Sequence, residues 1–276
     1  MIDKVQIRYR LAKTRLRAPL VWLRHRHVRT NDVFIASYPR SGSTWLRFLL
    51  FDLLSGTEAD FSSVHQGIPG VENQSTALPF LPDSGRLLQT HEFFRNEYHK
   101  AIYVVRDVRD VVISEFFFGL RKGVFTNGFD SFFFQFLNGK VNPYGYWGNH
   151  VESWLASPAA SDGKVLFIKF EEMRLNIGAV LVDILEFLGI NRDIEAIRKA
   201  VQNNTIDKMR EKENRAPKGT FKTNRTGIHF IRQGSSGGWR ETLSEKQLEI
   251  IEARLGRTLD RLGYSLENSL GRTLRE

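Results

Sequence analysis

The feature that most constrains the fold lies between residues 33 and 54. A β-branched and aromatic run, Val33–Ser37, ends in Tyr38-Pro39 and passes through Arg40-Ser41-Gly42-Ser43-Thr44 into an apolar stretch, residues 43–54. The first run reads as a buried strand and the second as a helix closed near Ser55-Gly56. A strand feeding a helix through a short Gly- and Ser-rich loop is a phosphate-binding arrangement. The helix start offers free backbone N–H groups and the positive end of the helix dipole. Gly42 lets the backbone approach an anion, Ser41, Ser43 and Thr44 add hydroxyls, and Arg40 adds a fixed charge in a donor fork. The loop is not a Walker A sequence, because no Lys follows Gly42 and the first Gly of that motif is missing. By itself it can also be read as a capped helix after an ordinary turn.

The rest of the chain repeats the alternation. Strands are expected at 86–90, 101–105 and 165–170, and helices at 110–119, 144–157, 177–188, 193–203 and 244–262. Residues 56–86, rich in Gly, Pro, Ser and Asn, read as loop with little regular structure. Strands alternating with helices imply one α/β domain with a mainly parallel central sheet flanked by helices. Ligands of such sheets bind at the carboxyl ends of the strands. The 276 residues are enough to bury a core without staples, and the absence of Cys removes disulfides and thiolate chemistry.

Charge divides the chain into a basic N-terminal arm, 1–30, and a body, 31–276. The arm holds nine Lys and Arg against Asp3, a net +8 of the chain's +9. The body is nearly neutral, which argues against a specific nucleic-acid partner. Val5, Tyr9, Ala12 and Leu16 recur at helical spacing among the bases, so a peripheral membrane contact stays open beside a plain solvated helix. No run is long and apolar enough to span a bilayer and no clean signal peptide is present, so a cytoplasmic location is expected.

The loop Tyr38-Pro39-Arg40-Ser41-Gly42-Ser43-Thr44-Trp45 resembles the 5′-phosphosulfate loop of the sulfotransferases that use 3′-phosphoadenylyl sulfate (PAPS). The cytosolic branch of that family usually reads Y-P-K-S-G-T-T-W. Arg40 stands for Lys, which keeps the charge but changes its geometry. Two further segments carry the resemblance. Arg106 follows the strand Ala101–Val105, and Ser114 lies eight residues on, similar to the family's R-x-x-x-D-x-x-x-S segment for the 3′-phosphate. Near the C-terminus, Arg232-Gln233-Gly234-Ser235-Ser236-Gly237-Gly238-Trp239 resembles R-K-G-x-x-G-x-W, with Gln233 for Lys and Gly238 for Asp. Residues 204–209, with Thr205 and Met209, match the family's adenine segment weakly, and Trp45 would stack on adenine by the same analogy.

The resemblance implies a P-loop nucleotide-kinase-like fold and transfer of a sulfuryl group from PAPS to a hydroxyl, less readily an amine, with adenosine 3′,5′-bisphosphate (PAP) as product and no metal. His91 stands where the family often has its general base, in Gln89-Thr90-His91-Glu92 rather than K-T-H-L-P. Imidazole suits that role near neutral pH, although one of seven His can land there by chance. Glu92 is the alternative base. The expected acceptor is a small-molecule, lipid-linked or sugar alcohol. Nine Phe between 116 and 136 would line an apolar acceptor pocket or simply fill the core. The rival readings are a P-loop-like kinase and a non-catalytic anion or nucleic-acid binder.

Overall fold

The computed structural model describes residues 17–125, 128–217, 220, 227–232 and 234–266. Four strands form one sheet in the order β2-β1-β3-β4, all parallel: β1 is Val33–Ser37, β2 Leu87–Thr90, β3 Ala101–Val105 and β4 Val165–Lys169. β1 and β3 are buried along their whole length, as their unbroken apolar sequences demand in a sheet covered on both faces. One core packs Phe34, Tyr103, Phe132, Phe133, Phe136 and Trp154 on one side, and the other packs Ile35, Leu46, Phe48, Leu50 and Leu181 on the opposite side.

All four expected strands and the expected parallel α/β architecture are present. Chain order places β2 on one side of β1 and β3 on the other, so the strand order reverses beside β1. That switch point opens a crevice at the carboxyl ends of the strands. The residues leaving those ends are Tyr38 to Gly42, His91, Arg106 and Phe170.

Helices follow at Ser43–Ser55, Val108–Lys122, Trp147–Leu155, Phe170–Leu188, Ile194–Asn203 and Glu245–Arg261. The stretch 56–86 corrects the expectation of loop: it holds a helix, Phe61–Gly67, and 3-10 turns at Val71–Thr76 and Pro82–Ser84. Asp60 and Ser63 cap that helix reciprocally, which supports a turn of helix in a sequence otherwise full of breakers. Phe129–Leu137 and Ile206–Arg215 are also helical. Among the described residues no helix is long and apolar enough to cross a membrane.

Of the basic arm, residues 17–30 are described, and Arg17–His25 is a helix laid against the body. Val21 and His25 are buried, and His25 donates or accepts with the Tyr98 hydroxyl at 2.6 Å. Gln74 donates to the Arg24 carbonyl. The helical spacing read over residues 5 to 16 lies outside the described residues.

Candidate active site

The strand register builds the site. Ala36 pairs with Thr90 across β1 and β2, so the next residues, Ser37 and His91, emerge side by side. His91 Nδ1 lies 2.7 Å from the Ser37 carbonyl oxygen. A carbonyl only accepts, so Nδ1 carries the proton and Nε2 keeps its lone pair. Burial pulls the imidazole down to about 4, against the partial upward pull of that carbonyl. The ring is therefore neutral near pH 7, with Nε2 able to take a proton. His150 holds the backbone behind it: Nε2 donates to the His91 carbonyl at 2.9 Å, and Nδ1 accepts from the Tyr103 hydroxyl at 2.9 Å. Burial lowers His150 to about 3.

Glu92, the alternative base, is otherwise engaged. Its carboxylate pairs with Arg17 at 2.5 Å, and its carbonyl accepts from the Trp154 indole. The Arg17 guanidinium also lies over Tyr144, whose ring stands edge-on 5.4 Å from His91.

Both neutral histidines make folding depend on pH. Unfolded, each binds a proton near about 6.5; folded, they resist protonation down to about 4 and about 3. Their contribution is complete above about pH 6.5 and is lost as pH falls through the folded values, because the unfolded chain then binds more protons. Urea titrations should show a midpoint that drops between about pH 6.5 and 4. A midpoint flat over that range would contradict neutral, buried imidazoles.

The loop after β1 has two left-handed residues. Gly42 has φ 101°, and a Cβ there would meet the Phe170 ring at 2.5 Å, so this position needs Gly for conformation and for space. Arg40, at φ 69°, is a non-glycine residue in the same region. Gly42 caps the helix Ser43–Ser55 without a side-chain hydrogen bond, which leaves the first N–H groups to the crevice. Ser43 Oγ accepts from Ser37, and Thr44 and Trp45 line the cavity. Ser41 is buried beneath the loop, and its hydroxyl has no hydrogen-bond partner among the described residues.

Arg40 turns away from its own loop toward the second segment. Its Nε donates to Ser114 Oγ at 3.2 Å and its Nη2 to the Phe230 carbonyl at 3.0 Å. The guanidinium sits 4.6 Å from the rings of both Phe118 and Phe230. Burial lowers it to about 10, with Glu115 opposing and Arg106, Arg121 and Arg232 adding to the fall. Arg106 closes the circle: Nη1 donates to the Arg40 carbonyl, Nη2 donates to the Ser235 carbonyl, and the guanidinium lies over Phe170. Its Nε is buried without a partner among the described residues. Three segments separated by up to about two hundred residues thus meet around one cavity of about 740 Å³.

The remaining expected residues divide. Met209, Arg232 and Gly234 line the cavity with Trp45. Arg232 also lies over Phe117, and its carbonyl accepts from Arg210. Trp45 meets Phe170 edge-on and donates to the Asn204 carbonyl, so it is a packed wall of the cavity. Thr205 does not reach the cavity: it is exposed and caps the helix Ile206–Arg215 by accepting from Lys208 N–H. Gln233 lies outside the described residues.

Asp110, the acid of the Arg106–Ser114 segment, and two residues outside any motif, Glu213 and Glu115, complete the site. Asp110 accepts from the backbone N–H groups of Gly237 and Trp239, and Glu213 from those of Phe230 and Ile231. Two carboxylates on distant helices therefore hold the C-terminal segment over the cavity. Glu115 is buried beside Arg40. Its Oε1 accepts from Asn142, which also donates to the Tyr38 hydroxyl, while Oε2 has no partner among the described residues. Burial raises the Glu115 carboxyl, partly offset by Arg40. Among the described residues no three His, Asp or Glu side chains group as metal ligands.

Arg40, Arg106, Lys122 and Arg232 converge on one cavity with a helix N-terminus and an unpartnered guanidinium nitrogen. This is a cradle for a ligand with several negative charges at two places. The comparisons agree. A family model described as "Sulfotransferase domain" matches residues 30–263. Sulfotransferase 1A1 of Rattus norvegicus is 27% identical over 257 residues, covering 83% of this chain and 84% of the relative. Sulfotransferase 1A1 of Mus musculus is 28% identical, covering 83% and 84%. Mouse sulfotransferase SULT7A1, solved in complex with PAP, superimposes with a TM-score of 0.68 at 24% identity, over 88% of this chain and 94% of that one. Retinol dehydratase, solved with androsterone and PAP, gives 0.66 at 21%, over 84% and 81%. The kinase and anion-binder readings are not favoured. The chain belongs to the sulfotransferase domain family and is a PAPS-dependent sulfotransferase.

Proposed function

We propose that this sulfotransferase acts on the hydroxyl of an apolar alcohol, with His91 as general base and Arg40 as the charge at the reacting group. The observation that carries the reading is His91 itself: a neutral imidazole with Nδ1–H fixed on the Ser37 carbonyl and Nε2 without a hydrogen-bond partner among the described residues, on the wall of the cavity that holds the cationic cradle.

PAPS, when bound, supplies a sulfuryl group on a phosphate leaving group. The protein's part is binding, orientation and proton transfer. Gly42, Ser43, Thr44 and the first helical N–H groups take the 5′ side, and Arg40, which reaches from that loop to Ser114, brings its charge to the negative charge that develops between the two segments. Arg106, Ser114, Arg232 and Gly234 hold the 3′-phosphate, and Trp45 and Met209 flank the base. His91 Nε2 takes the proton of the acceptor hydroxyl, and Ser37 and His150 keep the ring and its backbone in place. The side chains already provide the positive charge this scheme needs, and it asks for no metal.

The acceptor half of the cavity supports an apolar body. Phe118, Val124, Phe125, Tyr144 and Phe230 line it. Most of the other phenylalanines pack on one another: Phe132, Phe133 and Phe136 are core. The expected Phe cluster is thus mainly core, with its Phe118 and Phe125 end turned to the cavity. Retinol dehydratase, solved with androsterone and with retinol, is consistent with such an acceptor.

Two measurements test this reading. Labelled PAPS offered with a library of apolar alcohols, sugars and amines should label the apolar alcohols; a preference for sugars would overturn the acceptor assignment. Arg106→Ala should weaken PAP binding by roughly 100-fold, the loss of about two charge-assisted hydrogen bonds. PAP affinity unchanged by that substitution would remove Arg106 from the 3′ site.

A further inference from the structure

The helix Arg17–His25 presents to solvent the face that a surface helix normally buries. Its inward side consists of Val21 and His25. Its outward side carries Ala18, Pro19, Leu20, Trp22 and Leu23, all exposed. Leu20 is 41% exposed, Trp22 63% and Leu23 48%. Of the eight large apolar side chains left exposed among the described residues, three lie within these four consecutive positions. Soluble surface helices place charged residues outward, so this arc wants an apolar cover.

Its surroundings say what kind of cover. Arg24, Arg26 and Arg29 are exposed at the end of the helix, and residues 17–30 contain no acid. The chain's positive charge is concentrated in this arm, while the body is nearly neutral. An apolar arc with an exposed Trp, rimmed by unopposed arginines, complements an anionic bilayer surface. A protein partner would need no such one-sided charge. The same helix also walls the cavity, through Arg17, Leu20, Val21 and Arg24, and Arg17 ties it to Glu92, the residue after His91.

We infer that the helix Arg17–His25 docks on an anionic lipid bilayer, with Leu20, Trp22 and Leu23 in the headgroup boundary and Arg24, Arg26 and Arg29 on lipid phosphates. The mouth of the cavity then faces the membrane, and the acceptor it receives is an alcohol carried in the bilayer. That last clause rests on the apolar acceptor proposed above; the docking does not.

The test uses the full chain and sedimentation with vesicles of phosphatidylcholine alone or with about one quarter phosphatidylserine. Binding is expected to the mixed vesicles only, and to weaken as salt rises from about 0.1 to 0.5 M. Trp22→Ser with Leu23→Ser, neither on the cavity wall, should lower the vesicle partition coefficient roughly 30-fold. Arg26→Glu with Arg29→Glu should lower it roughly 100-fold. Thermal midpoint and PAP affinity of both variants should match the parent, which separates misfolding from lost docking. Failure of the parent to bind PAP would strike the catalytic reading and leave the vesicle result standing. Absence of vesicle binding by the parent overturns the inference. Equal binding by the Trp22 and Leu23 variant also overturns it, since the contact would then lie elsewhere in the arm. A concentration-dependent dimer abolished by the same substitutions would overturn it too, with a second copy as the cover.

Discussion

Replacing His91 by Ala should lower kcat by roughly 10²- to 10⁴-fold, the range expected for loss of a positioned general base. PAP affinity should stay within about twofold, because the imidazole makes no contact with the cationic cradle. The split matters: a structural histidine would cost stability or cofactor binding together with rate. The pH profile gives an independent reading. The base works unprotonated, so kcat/KM falls when His91 takes a proton, and burial has moved that event from the usual histidine range down to about 4. The acid limb of the profile should therefore lie well below about pH 6.5. Glu92 provides the contrast. Its carboxylate is paired with Arg17, so Glu92→Gln should leave most of the activity. Loss of rate in the Glu92 variant with retention in the His91 variant would reverse the assignment.

Arg40→Ala is the second large effect. Its guanidinium lies between two aromatic rings and reaches Ser114, so it brings charge to the point where the loop and the 3′ segment meet. Removing one preorganised donor to a developing negative charge costs roughly 10²- to 10³-fold in kcat. Arg40→Lys should recover part of this, because a point charge remains while the fork that reaches both Ser114 and the Phe230 carbonyl is lost. Circular dichroism should confirm folding in both variants, since Glu115 loses the main charge opposing its burial when Arg40 is removed. Equal kcat in Ala and Lys variants would mean that the guanidinium supports structure alone.

The parts of this molecule legible in sequence are those whose signal is local. β1 and β3 are short apolar runs, and burial on both faces leaves no alternation to confuse them. The phosphate loop is legible because strand, left-handed Gly42 and helix start are contiguous. Arg106 and Ser114 lie within one strand–helix unit. What escaped depends on distant partners or on weak periodicity. Glu115 matters through Asn142, 27 residues away, and Tyr38, which Asn142 joins over 104 residues. Asp110 stands in the Arg106–Ser114 motif, but its partners are the backbone N–H groups of Gly237 and Trp239, and the partners of Glu213 are those of Phe230 and Ile231; backbone donors leave no mark in a sequence. The helix Ile206–Arg215 is so charged that it shows little apolar stripe, although Thr205 as cap and Pro217 beyond its end were signals. That cap also explains why Thr205 is turned from the cavity.

The central claim is that the crevice beside β1 receives a nucleotide with phosphate at both its 5′ and 3′ positions. Isothermal titration of the full chain with PAP, and separately with ATP and Mg²⁺, tests it most directly. The arrangement of Arg40, Arg106, Ser114 and Arg232 predicts one PAP site, at least roughly 100-fold tighter than ATP, since ATP leaves the 3′ cations without a partner. Tight binding of ATP and Mg²⁺ with no measurable binding of PAP would contradict the account.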